Sequence, residues 1–366
     1  MNISNLFIKM ASEDASDLYI AVGSPPMLSV KGNLVPIGES ILTPEQAKKI
    51  AYAFMNEQQR EEFKENPEVN LAHSISGLGR FRLNIFKQRG SCGVVIRRIK
   101  SKIMSIDELN LPEILKETAM LERGLVLVTG ATGSGKSTTL AAMIDHRNSN
   151  RDGHIVTIED PLEFVHDHKK SIITQREIGM DTNSYHEALK SALRQAPTVL
   201  LVGEIRDRTT MEAAITFAET GHLVFSTLHA NNANQTLERI LNFFPSEMHA
   251  MTYMQLSLNL RAVICQRLIP TVDGKGRAAA LEIMLATPRI SDLIHKGDTT
   301  GLKSVISAGT HEGMQTFDQS LYKLFKEEFI SYDTAIGAAD SANDLKLKIK
   351  MQDGEEITTE GISIDQ

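Results

Sequence analysis

An eight-residue run, Gly130-Ala131-Thr132-Gly133-Ser134-Gly135-Lys136-Ser137, lies between an apolar stretch, Leu125-Val126-Leu127-Val128, and a helical one, Thr138-Thr139-Leu140-Ala141-Ala142-Met143-Ile144. It fits the phosphate-loop pattern G-x-x-x-x-G-K-[ST] in full. Glycines at those places let backbone N–H groups curl around phosphate oxygens without Cβ collisions. The helix start behind them adds its positive dipole end. A strand, this loop and a helix in that order form a βα unit, which commits the surrounding chain to a mostly parallel sheet covered by helices. In that frame Lys136 reaches the β- and γ-phosphates, the Ser137 hydroxyl ligates Mg2+, and Thr138 completes the nucleotide-binding set. A chance Gly-rich turn is the bland alternative, and the full pattern in its proper context leaves it little room.

Three further apolar runs, Ile155–Ile158, Val199–Val202 and Leu223–Thr227, alternate with helical patterns. Each ends in Gly, acidic or polar residues, as expected where strand C-termini meet a ligand. Val199–Val202 delivers Gly203-Glu204, a Walker B arrangement that places Glu204 to hold Mg2+ or to polarise an attacking water. Thr157-Ile158-Glu159-Asp160-Pro161-Leu162-Glu163 brings three carboxylates within five positions. Beside phosphate such a cluster needs a cation or a proton role; a solvated acidic loop is the alternative. His222 and His229 stand at opposite ends of an apolar strand, too far apart to share a metal. His229 suits a γ-phosphate sensor, although a lone His is more often structural.

Upstream, Asp17–Val22 is predicted as a strand, and Leu28–Val30 and Leu34–Ile37 as a hairpin about Lys31-Gly32-Asn33. Thr43-Pro44-Glu45-Gln46 opens a helix with a capping box, expected to run to about Lys64 and to stop before Pro67. Arg80–Lys87 and Gly93–Ile99 read as two more strands, carrying Arg80, Arg82, Arg97 and Arg98. A polar stretch with Pro112 separates this segment from the phosphate-loop segment, and from about Pro288 the pattern is helical. The expected organisation is residues 1–100 as an N-terminal domain, 101–118 as a linker and hinge, 119–350 as the nucleotide domain, and 351–366 as an acidic, disordered tail.

The tail carries −5 of the net charge of −7, so the body holds only −2. That balance argues against a chain built to neutralise nucleic-acid phosphates, and no direct nucleic-acid partner is expected. Two cysteines, Cys92 and Cys265, exclude a disulfide scaffold and a four-cysteine zinc module. Met1–Met10 lacks the basic start and long apolar stretch of a signal peptide. With no apolar run near the ~20 residues of a membrane span, the expected location is cytoplasmic, with membrane contact through partners.

These motifs together resemble the secretion ATPases that drive type II secretion and type IV pili. The boxes occur in order: the phosphate loop, the Asp box Thr157–Phe164, the Walker B run Leu200-Leu201-Val202-Gly203-Glu204-Ile205-Arg206-Asp207, and the His box Ala218-Glu219-Thr220-Gly221-His222 to His229. The resemblance runs from Asp17 to about Lys350. Within the superfamily it is to the retraction subgroup (PilT and PilU). The chain starts directly at the small domain and lacks the tetracysteine element of pilus assembly ATPases. Finer matches fall on the PilU side: Leu193-Arg194-Gln195-Ala196-Pro197 replaces an acidic Arg-Glu-Asp-Pro run, and Leu228–Gln235 and Gly313–Asp318 are also PilU-like. Arg289–Lys296 stands where PilT has Ala-Ile-Arg-Asn-Leu-Ile-Arg-Glu.

What the resemblance implies is a PAS-like α+β N-terminal domain followed by a RecA-like α/β phosphate-loop domain with C-terminal helices, assembled as a homo-hexamer. It further implies ATP and Mg2+ as cofactors and Glu163 as general base, with Ser137, Glu204 and Glu163 around the metal. It implies Arg80, Arg82 and Arg97 as arginines that close onto nucleotide, although a solvated strand face accounts for them too. Expected partners are a PilT-like retraction ATPase and the inner-membrane pilus platform protein, which would hold the protein at the cytoplasmic face of the inner membrane. A nucleotide-binding accessory subunit and a RecA-type nucleic-acid motor are the competing readings.

Overall fold

The computed structural model describes residues 3–99 and 102–352. The expected disorder of the acidic tail therefore falls outside the described residues from position 353 onward. The chain divides into two compact units.

The first unit comprises residues 1–103, 161–167 and 177–183. Its sheet uses β1 (Asp17–Ile20), β2 (Met27–Val30), β3 (Asn33–Pro36), β4 (Glu68–Ile75), β5 (Gly79–Gln88) and β6 (Ser91–Ile99), in the order β3-β2-β1-β6-β5-β4. Every pairing is antiparallel. Lys31 and Gly32 both take positive φ, 50° and 85°, the geometry a two-residue hairpin turn demands. Helices α1 (Ile3–Ser12), α2 (Pro44–Ala53) and α3 (Glu57–Glu65) cover the sheet. Leu6, Phe7 and Met10 of α1 enter the core, where the Phe7 and Phe81 rings meet edge-on at 4.6 Å between centroids. This is the PAS-like α+β arrangement.

Two expectations for this unit are corrected. The helix that the pattern carries to Lys64 is in fact two, α2 and α3. Asn56 breaks it by accepting a hydrogen bond from the Gln59 N–H and starting a second capping box. Helix α1 and strand β4 are additional elements, and β1 stops at Ile20.

The second unit comprises residues 104–160, 168–176 and 184–366. It starts with α4 (Ile114–Ala119), β7 (Gly124–Thr129), α5 (Lys136–Asn150), β8 (Gly153–Glu159) and β9 (Ser171–Glu177). It continues with α6 (Tyr185–Ala192), β10 (Val199–Val202), α7 (Arg208–Glu219), β11 (Leu223–Leu228), α8 (Ala233–Leu241), α9 (His249–Asn259), β12 (Leu260–Pro270) and β13 (Arg277–Leu285). The sheet order is β13-β12-β7-β11-β10-β8-β9. Strands β12, β7, β11, β10 and β8 run parallel, and β13 returns antiparallel to β12. Helices α10 (Pro288–Lys296), α11 (Leu302–Ala308), α12 (Phe317–Lys326), α13 (Tyr332–Ala338) and α14 (Ala342–Gln352) follow, as the helical pattern after Pro288 predicts.

The segment expected as a linker is largely built into this unit. Ile106, Leu111 and Leu115 are buried in the same core as Val126, Val128 and Phe225. The Arg147 guanidinium of α5 donates to the carbonyls of Ala119 and Leu121 at 2.9 and 2.8 Å. Polar residues outnumber apolar ones over 101–118, and composition averages away the three, Ile106, Leu111 and Leu115, that are fully inward.

Candidate active site

The parallel register brings four strand ends to one edge of the sheet. Leu228 pairs with Thr129, and Val202 pairs with both Ser226 and Ile158. The phosphate loop after β7, Gly203-Glu204 after β10, His229 after β11 and Glu159-Asp160 at the end of β8 therefore lie along the same carboxyl edge. Hydroxyl groups lace these ends together. Ser226 donates to the Val202 carbonyl and Thr227 Oγ1 to the Gly203 carbonyl, both at 2.7 Å.

The loop glycines are required where they stand. Gly130, Gly133 and Gly135 have φ of 148°, 77° and 89°, a region L side chains avoid. A Cβ on Gly130 would collide with the Gln266 carbonyl oxygen and with Ser134 Oγ, and one on Gly135 would come 2.8 Å from Gln266 Nε2. Gly135 is also the N-cap of α5 and offers no side chain to its N–H groups. The first amides of α5 are thus left to an anion rather than to a capping hydroxyl. Lys136 Nζ donates to the Gly130 and Ala131 carbonyls at 2.9 and 3.0 Å, which folds its charge over the loop. Ser134 is buried, whereas Ala131 and Thr132 are exposed and Ser137 and Thr138 half-buried.

Gln266 of β12 is a site residue that motif reading missed. It is 3% exposed, and its Oε1 accepts from Thr139 Oγ1 at 2.7 Å while its Nε2 faces Gly135. No local pattern connects positions 139 and 266; only the sheet does. Beside Gly135 and Thr138 a cavity of about 280 Å3 opens, walled by Leu109, Leu111, Leu268 and Arg277. Two of these walls come from the segment expected as a hinge.

Glu204 is held on both oxygens. His229 Nε2 lies 2.9 Å from Oε1, and Arg206 NH2 lies 2.7 Å from Oε2. Glu204 raises the Arg206 pKa through this hydrogen bond, and Arg206 also approaches Asp160 at 3.9 Å. Gly203 lets β10 end close to β8: a Cβ there would stand 3.2 Å from Glu159 Cα and 3.2 Å from the Tyr185 hydroxyl. Burial, with Asp160 nearby, pushes the Tyr185 hydroxyl pKa well up, so it stays a protonated donor. Glu159 accepts from Thr157 Oγ1 at 2.8 Å. Asp207 of the Walker B run caps α7 by accepting from the Thr210 N–H.

His222 does not share this edge. At the opposite end of β11, its Nδ1 sits 3.1 Å from both Thr220 Oγ1 and the Phe217 carbonyl, with its ring edge-on to Phe217. Of the two histidines, only His229 meets the acidic group.

Glu163 is exposed on residues 161–167, which belong to the first unit. Arg80, Arg82 and Arg97 have carboxylate partners within the first unit, which includes Glu177, the last residue of β9. Arg80 and Arg82 of β5 reach the buried Glu177 at 3.5 and 3.9 Å, and Arg97 of β6 donates to Asp17 at 2.7 Å.

Among the described residues, no group of three or more His, Cys, Asp or Glu side chains is placed to hold a metal ion. Mg2+ nevertheless fits the donor set, because it takes few protein oxygens and completes its shell with phosphates and water. The Ser137 hydroxyl and the Glu204 carboxylate are donors of that kind. With both Glu204 oxygens engaged, its contact to the ion would run through water.

The family described as "Type II/IV secretion system protein" matches residues 68–319. The type IV pilus ATPase PilU of Pseudomonas aeruginosa is 51% identical over the whole of this chain and 97% of its own length. The retraction ATPase PilT of the same organism is 45% identical over 92% of this chain and 97% of its own. Among solved structures, that of the pilus retraction motor PilT with bound ADP superposes with a TM-score of 0.88 at 39% identity. It covers 95% of this chain and 99% of that one.

Proposed function

The chain belongs to the type II/IV secretion system protein family, and from that premise we propose that it is the ATP-hydrolysing motor of a type IV pilus, working on the retraction side. The observation that carries this is the carboxyl edge itself. A glycine cradle and Lys136 for the triphosphate stand on the same sheet edge as a Glu204 clamped by His229 and Arg206.

The loop amides, the α5 N-terminus and Lys136 bind and orient the β- and γ-phosphates. The 280 Å3 cavity beside Thr138 takes the nucleoside, with the base against Leu109, Leu111 and Leu268. Ser137, and Glu204 through water, would hold Mg2+, which would supply charge neutralisation for the phosphates. Glu204 orients the attacking water, and Glu163 keeps the general-base role that the family resemblance implies. His229 reports the state of the γ-phosphate to Glu204.

The working form is a homo-hexamer at the cytoplasmic face of the inner membrane, gripping the pilus platform protein and acting with a PilT-like retraction ATPase. No helix among the described residues is long and apolar enough to cross a membrane, in keeping with attachment through partners. Pilus retraction in cells lacking this protein, alone and together with loss of the PilT-like motor, tests the proposal. Retraction that is unaffected in both backgrounds overturns it.

One observation favours a second reading, an accessory subunit whose own hydrolysis is dispensable. The PilU-like run Leu193–Pro197 connects α6 to the start of β10, the end of that strand remote from Glu204. The departure thus leaves the hydrolytic edge intact and alters the opposite, amino-terminal edge of the sheet. Cells in which Lys136→Ala supports normal retraction beside an active PilT-like motor would establish the accessory role.

A further inference from the structure

Glu282 lies in β13 with 3% of its surface exposed. Its Oε1 accepts a 2.7 Å hydrogen bond from the backbone N–H of Ala233, the first residue of α8. Burial raises the Glu282 pKa, and a carboxyl group in such a place is a costly choice unless it has a partner. Helix formation does not require it. Asn232 already caps α8 by accepting from the Gln235 N–H, and Gln235 Oε1 accepts from the Asn231 N–H.

What Glu282 adds is a tether between the sheet and the point where α8 begins. Residues 229–233 are consequently held at both ends, by Glu204 at His229 and by Glu282 at Ala233. A second tie runs alongside. Thr236 Oγ1 of α8 lies 3.4 Å from Thr129 Oγ1, and Thr129 is the residue immediately before Gly130. Cys265, opposite Glu282 in the β12–β13 pairing, is fully buried against the Thr129 and Thr236 hydroxyls.

We propose that Glu282 is a positioning residue for ATP hydrolysis: by holding the first N–H of α8 it fixes the His229–Asn232 loop, and through His229 the orientation of the Glu204 carboxylate, an inference that rests on the hydrolytic site proposed above. Glu282 touches neither nucleotide nor metal in this scheme. Its effect falls on turnover rather than on binding.

The test is a set of ATPase measurements on the full chain, separating kcat from KM for ATP, with Glu282→Leu, Glu282→Gln, His229→Ala and the Glu282→Leu/His229→Ala pair. Glu282→Leu is expected to lower kcat about 10-fold with KM within about twofold, the split of a group lost from the transition state alone. Glu282→Gln keeps an oxygen for the Ala233 N–H and recovers most of the rate. In the His229→Ala background, Glu282→Leu has no further effect, because both act through one contact. Should Glu282→Leu fail to fold, Ala233→Pro removes the same N–H. Proline is tolerated at a first helical position, and Asn232 before it is already extended at φ −156° and ψ 175°. The same kcat loss is expected there.

Full kcat in Glu282→Leu or in Ala233→Pro overturns the proposal, as do additive losses with His229→Ala or a Gln variant as slow as Leu. Full kcat in His229→Ala alone would instead show that the His229–Glu204 contact is not part of the hydrolytic site.

Discussion

His229 Nε2 stands 2.9 Å from Glu204 Oε1 while Arg206 closes on the other oxygen at 2.7 Å, so the one acid at the end of β10 has a fixed carboxylate plane. A free carboxylate at a strand end rotates about χ3, and each lost rotamer must be recovered when water is to be oriented. Here His229, just after β11, and Arg206, just after β10, remove that freedom before substrate arrives. Replacement of Glu204 by Gln keeps the shape but removes the charge. The expected result is ATP binding close to wild type and hydrolysis slower by ~10²-fold or more, read as phosphate release under saturating ATP. His229→Ala leaves the charge and should cost less than Glu204→Gln.

Gly130 offers a sharper steric test. Its φ of 148° and the approach of the Gln266 carbonyl leave no room for a methyl group. Gly130→Ala is expected to strain the loop by about 1–3 kcal/mol and to abolish nucleotide binding. Thermal melting with and without ADP measures both: the variant folds, melts lower, and gains no stability from ADP.

Arg147 ties the stretch before β7 to α5. It is 3% exposed and donates to two carbonyls, and burial lowers its pKa. Arg147→Leu leaves the Ala119 and Leu121 oxygens without that donor, at about 1–3 kcal/mol. Chemical denaturation followed on the second unit should report a loss of that size, with KM for ATP unchanged.

The two cysteines should react at different rates. Burial raises both thiol pKa values, but far more for the fully buried Cys265 than for the half-buried Cys92. Since thiolate is the reactive species, an alkylating reagent should label Cys92 in the native protein and reach Cys265 only after unfolding. Mass spectrometry of peptides after timed alkylation checks this.

Strands β7, β8, β10 and β11 were legible because each is a short, mostly apolar run ending in Gly, acidic or polar residues, the signature of a strand buried on both faces. The phosphate loop and the Glu204 strand end were legible for the same reason. Strands β12 and β13 were not: Leu260–Pro270 mixes Arg261, Gln266 and Arg267 into an apolar run directly after α9, so neither period of two nor of 3.6 stands out. The break between α2 and α3 turns on a single side-chain cap at Asn56, a contest between continuing a helix and restarting one that propensity does not decide. Gln266 and Glu282 were invisible for a different reason. Each acts on a partner many residues away, Thr139 and Ala233, and only the sheet order brings them together. The polar character of 101–118 hid Ile106, Leu111 and Leu115, three inward residues that make it part of a core rather than a free hinge.

Calorimetric titration of the purified chain with ATP and Mg2+, alongside Lys136→Ala, addresses the central claim most directly. Saturable binding by the wild-type chain, weakened at least ~10-fold when the Lys136 charge is removed, is the predicted result. Failure of the wild-type chain to bind ATP in any oligomeric form, or equal binding by both proteins, would contradict the assignment of the phosphate site and the motor function built on it.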